Sequence, residues 1–119
     1  MIAVNWLQDT AAIIPLIDKS LEVYDLTTNN MIDRFTHYTG SLKWVLFSPY
    51  KDEFYTCLDD GLVEVYRKAP NGVNWIIAHT FDFSTYGKAY SLNANLEGIL
   101  IIAVNNTIIF YDLEEQEIE

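Results

Sequence analysis

Two histidines, His37 and His79, and a single cysteine, Cys57, are the residues of this 119-residue chain best suited to hold a metal ion. A zinc centre needs three or four N, S or O ligands converging on one point. These three lie far apart in the sequence, and none sits in a short ligand-spacing motif. Asp59 and Asp60 are the nearest approach to a carboxylate pair. Successive side chains of an extended strand point to opposite faces, so the two diverge and are read as turn residues. The chain contains no Gly-x-Ser-x-Gly elbow, no phosphate-binding glycine loop and no His-Glu-x-x-His pair. No catalytic residue, no metal and no cofactor is therefore expected, and the chain is not read as an enzyme. Cys57 falls inside an apolar strand pattern, where a cysteine acts as a small buried hydrophobe. One cysteine excludes an internal disulfide framework and fits a reducing, intracellular setting, with cytoplasm and nucleus not distinguished.

Charge removes a further class of partner. The formal net charge is −10, with only seven Lys and Arg. Nucleic-acid binding needs clustered cations that displace counterions from phosphate, so no direct nucleic-acid partner is expected. The acidic run Asp112 to Glu119 reads as a solvated tail. The longest apolar run, Gly98 to Val104, is strand-sized and well short of the roughly 20 residues of a membrane span. A basic start followed by a long apolar stretch, the mark of a secretory signal, is not seen.

Aromatic residues are the remaining candidates for contact. Trp6, Trp44 and Trp75, with Tyr38, Tyr50, Tyr55, Tyr86 and Tyr90, exceed what a small core must hold. Most are expected to pack internally. Tyr38, Tyr50 and Tyr86 fall in expected loops and are the candidate partner contacts, because interfaces favour Trp, Tyr and Arg at their energetic centres.

The elements that would position these residues form a repeat. "VLFSPYKDEFYTCLDDGLVEVYR", Val45 to Arg67, has weaker copies at Val4 to Leu26 and Leu92 to Leu113. Aligned on Tyr24, Tyr66 and Tyr111, the spacing is about 40–45 residues, the period of a four-stranded propeller blade. The expected architecture is all-β, a partial propeller in one domain over 1–119, with units near 2–36, 42–82 and 89–119. In the first unit strands are expected at about Ile2–Leu7, Ala11–Ile17, Ser20–Leu26 and Met31–Thr36. In the second they fall at about Leu42–Ser48, Glu53–Asp59, Leu62–Lys68 and Asn74–Phe81. The third has Ala89–Asn95, Ile99–Val104 and Thr107–Leu113, and a fourth strand there has no room beyond Gln116 to Glu119. "TTNN" and "APNG" supply hairpin turns. Pro15 sits inside an expected strand and predicts a bulge or ladder defect. Glu22 and Glu64 lie between apolar neighbours, as outward-facing positions would. Ile109 takes that place in the third copy and marks either a contact surface or a more buried unit.

At these residues the chain resembles the WD40-repeat family. "VLFSP" looks like the family's innermost strand and its exit turn, and "DDGLVEVY" like the turn into the third strand. Tyr24-Asp25 and Tyr111-Asp112 stand where the family closes a repeat with Trp-Asp; the second copy has Tyr66-Arg67. The resemblance implies a structural hydrogen-bonded set made of His37, Thr56, Asp60 and Tyr66, with Asp18 and Asn105 in the turn-Asp place of the other copies. It also implies a non-catalytic scaffold that binds protein, with the partner on the rim formed by the loops His37–Ser41 and Phe83–Lys88. The alternative is a self-assembling propeller that binds a small ligand or glycan. Three units are fewer than the four to eight of a closed ring. Open strand edges and runs such as "ILIIAV" invite pairing, so something should cover them. Four solutions stay open: a longer chain, another polypeptide, a second copy, or an open β-fold.

Overall fold

Apolar and β-branched residues alternate with polar ones over short runs, and turn residues separate the runs, so the chain forms hairpins. The computed structural model describes residues 3–4, 11–49 and 51–118. Its strands are β1 (Ala3–Val4), β2 (Ala11–Pro15), β3 (Leu21–Asp25), β4 (Asn30–Phe35), β5 (Leu42–Phe47), β6 (Glu53–Leu58), β7 (Leu62–Lys68), β8 (Trp75–Asp82), β9 (Ala89–Ala94), β10 (Ile99–Val104), β11 (Thr107–Asp112) and β12 (Glu117–Ile118). They form three antiparallel sheets, β1–β4, β5–β8 and β9–β12, each ordered in space as in sequence. Among the described residues the only helical element is a 3-10 turn at Ser84–Tyr86, and no helix is long and apolar enough to cross a membrane.

The registers of the three sheets correspond pair for pair. Tyr24 faces Ala12, Tyr66 faces Phe54 and Tyr111 faces Leu100. The next pairs are Val23 with Ile13, Val65 with Tyr55, and Phe110 with Ile101. Then come Glu22 with Ile14, Glu64 with Thr56, and Ile109 with Ile102. Bulges recur at equivalent places. β3 and β7 both shift register against the following strand beside the aligned tyrosine, at Val23/Tyr24 and Val65/Tyr66. The β5–β6 and β9–β10 pairings shift where Lys43 and Tyr90 are left over. Bulges sharpen local twist, so the first and second sheets share one such point and the second and third share another.

Because side chains alternate, each sheet has two faces. The Ile13–Val23 face of the first sheet packs on the Phe54–Tyr66 face of the second, with Val45, Phe47 and Trp75 in the same cluster. The Tyr55–Val65 face of the second packs on the Leu100–Tyr111 face of the third, with Cys57, Val63 and Ile102 between them. The ring contacts repeat too: Phe35 lies 5.0 Å from Tyr66, and Phe81 lies 4.5 Å from Tyr111. The second sheet is therefore covered on both faces, and every residue of β6 is buried. Polar ties assist the first junction, where Asp33 accepts hydrogen bonds from the Trp75 backbone N–H (2.9 Å) and the Asn74 amide (3.0 Å).

Three expectations are corrected here. Pro15 causes no bulge. It closes β2 opposite Leu21, where its missing N–H matters little, and the Leu16 N–H to Ser20 carbonyl bond (2.9 Å) finishes the hairpin. Glu64 does not face solvent; it is buried. The acidic C-terminal run is not simply a tail. Asp112 accepts hydrogen bonds from the Glu114 and Glu115 N–H groups (3.0 Å each), and the chain turns back so that β12 pairs with β11.

Candidate interaction surface

Glu64 lies on β7, two residues before Tyr66, and the two side chains share a face. The Tyr66 hydroxyl donates to Glu64 Oε1 at 2.9 Å. Tyr38 and Tyr66 join their hydroxyls in a hydrogen bond, and the Thr56 side chain lies beside Tyr38. His37 Nε2 stands 3.0 and 3.1 Å from the two Glu64 oxygens. Burial raises both tyrosine pKa values well above the ordinary phenol range. At Tyr66 the neighbouring Tyr38 and Glu64 add to that rise, and at Tyr38 the Glu64 charge adds to it. The cluster satisfies a buried carboxylate and fixes the segment after β4 against the second sheet. Such a network locks packing.

Of the expected set, the structure brings together His37, Thr56 and Tyr66 and leaves the three turn residues elsewhere. Asp60 Oδ1 accepts the Leu62 N–H (3.1 Å) in the β6–β7 turn. Asp18 accepts from the Ser20 N–H and hydroxyl and pairs with Arg34 at 3.0 Å. Asn105 occupies the β10–β11 turn at φ 48°. The missed member is Glu64, and its signal was present as Glu-x-Tyr. The motif occurs at Glu22-Val23-Tyr24 and Glu53-Phe54-Tyr55 as well, and each tyrosine donates to its own glutamate, at 2.9 and 2.8 Å. Residues i and i+2 of a strand share a face, which brings carboxylate and phenol together.

The aromatic candidates separate. Tyr38 is buried at 6% exposure, with its hydroxyl turned inward, so it is not a surface residue. Tyr86 and Tyr90 are both exposed. Tyr50 and Trp6 lie outside the described residues. The loops after β4 and after β8 meet on the β6–β7 turn: Asp59 N–H donates to Ser41, Ala89 N–H to Asp59, and Phe83 N–H to Gly61. His37 and His79 are not neighbours; His79 Nδ1 lies 3.4 Å from the Gln116 amide. Among the described residues no three His, Cys, Asp or Glu are grouped to hold a metal.

An exposed apolar face lies on the third sheet. Ile108 is 62% and Phe110 48% exposed. Across the β10–β11 ladder they face Ala103 and Ile101, both half-buried. The equivalent positions of the second sheet, Val63, Val65, Cys57 and Tyr55, are sealed in a core. Ile109, left open between two readings by the sequence, is buried, and its neighbours on either side point out. No protein-family model matches this sequence, and no curated protein matches it.

Proposed function

We propose that this chain is a non-catalytic protein–protein interaction scaffold, a WD40-like propeller segment that acts within a multiprotein complex. One observation carries the reading. The third sheet repeats the register of the second, yet the apolar face that is core in the second is bare in the third. A bare, contiguous apolar face of this kind marks an interaction site. The recurrent registers, bulges and Phe–Tyr contacts support a blade-like repeat. Exposed Tyr86 and Tyr90 offer further contact candidates.

Affinity capture at native expression level, with the parent, Tyr86→Ala and an Ile108→Glu/Phe110→Glu double variant, tests the reading. A different polypeptide recovered in stoichiometric amount with the parent, and lost from one of the variants, supports it. Recovery of the chain with no other protein overturns membership of a multiprotein complex.

A further inference from the structure

Each junction within the chain is built the same way. The face bearing Ile13 and Val23, or Tyr55 and Val65, packs on the face bearing Phe54 and Tyr66, or Leu100 and Tyr111. Among the described residues two faces are then left over, and they are of opposite kinds. The third sheet has a spare face of the first kind, with Ile101, Phe110 and Ile108. The first sheet has a spare face of the second kind, with Ile14, Glu22 and Tyr24, all half-buried, and Met31, which pairs with Tyr24 and is 49% exposed. The Glu22–Tyr24 bond there matches the buried Glu64–Tyr66 bond, which already lies under a face of the first kind.

We infer that the occupant of both spare faces is a second copy of this chain. The third sheet of each copy docks on the first sheet of the other, head to tail. The inference rests on the reading that bare sheet faces are interaction surfaces, and it names the partner. One chain supplies both halves of an interface it already makes twice. Head-to-tail contacts close into rings when the rotation allows. Two copies give six sheets, within the range of about four to eight for closed propellers.

The purified chain alone is measured by light scattering across a dilution series, with circular dichroism to check folding. A concentration-dependent dimer is expected. Ile108→Glu/Phe110→Glu should weaken it about a hundredfold or more, as the loss of two central apolar anchors does. Tyr24→Asp should do the same from the opposite face. Met31→Asp, at an exposed position, serves if Tyr24→Asp does not fold. The deciding result is the mixture. The sheet-three variant and the sheet-one variant, each monomeric alone, should form a heterodimer through their one intact junction. A parent chain that stays folded and monomeric overturns the inference while leaving capture of a different protein intact. A dimer whose two variants do not rescue each other shows like faces meeting like, and overturns it too.

Discussion

At Glu64 a carboxylate is buried at 7% exposure with His37 and Tyr66 as partners. Removing Tyr66 or Glu64 leaves a buried partner short of its hydrogen bond. Tyr66→Phe leaves Tyr38 and Glu64 short of a partner and should cost about 1–3 kcal/mol. Glu64→Ala, which also opens space, should cost more. Urea unfolding midpoints check both, and a change below about 0.5 kcal/mol, the scatter of ordinary surface substitutions, would show that the cluster does not stabilise the fold. Cys57 gives a pH test. Burial, with help from Asp60 and Asp59, pushes its thiol from 9.0 up to about 12. The folded state therefore keeps a proton that the unfolded state releases. Its contribution is complete below pH 9 and falls as pH rises toward 12, by about 1.4 kcal/mol per pH unit. Tyr38 and Tyr66 add the same sign above the phenol range. Cys57→Ala should flatten the pH 9 to 10 stretch of the stability curve, leaving a steeper fall above it. If the slopes of parent and variant agree there, the thiol is not titrating as a buried group. The resemblance grouped His37, Thr56, Asp60 and Tyr66 and passed over Glu64, which bonds His37 and Tyr66. Alternation alone cannot tell a glutamate facing water from one facing a second sheet, because both follow a period of two. The repeated Glu-x-Tyr was the legible clue.

Elements were more readable than contacts. Strand runs with turn residues between them locate β2 to β11 to within about two residues, because hairpins are written locally in sequence. Which face of a strand is covered depends on the neighbouring sheet, and no local signal records that. Ile108 and Phe110 show the consequence: they are strand-forming residues in an apolar pattern, yet they point outward. β5 allows a direct test. Phe47 is 2% exposed and meets Phe54 and Trp75 at ring distances of 5.6 and 5.9 Å. Phe47→Asp places an unpaired charge among them and should leave no cooperative unfolding transition. A variant that melts like the parent would refute the placement of β5. The β6–β7 turn is a second test. Gly61 has φ 93°, and a Cβ there would lie 3.1 Å from the Phe83 carbonyl carbon. Gly61→Ala meets both strain and crowding, so thermal stability should fall, whereas Gly72→Ala, with φ 73° and open space, should suffer from strain alone and fall less. Equal losses at the two sites would mean that the close approach of the Phe83 loop to the turn does not matter.

Across the whole molecule, cover is uneven. Among the described residues the second sheet has a neighbour on each face, while the first and third have one each. Local opening is costliest where buried apolar contact is greatest. Amide exchange should therefore be slowest in β6 and β7 and fastest in β4 and β12, whose residues are mainly half-buried or exposed. β10 and β11 make the more telling measurement. Their ladder is buried on one face only, so in an isolated chain they should exchange faster than β6 and β7. If a second copy covers Ile108 and Phe110, their protection must rise with protein concentration, while that of β6 and β7 stays constant. Salt should act in the same direction. Each copy carries a net charge of −10, and bringing two together costs repulsion that ions screen within about 10 Å at 0.1 M. Protection of β10 and β11 should therefore increase with added sodium chloride at fixed protein concentration. Protection that depends on neither protein nor salt would mean that the third sheet stays bare in solution, and that two copies do not share this face.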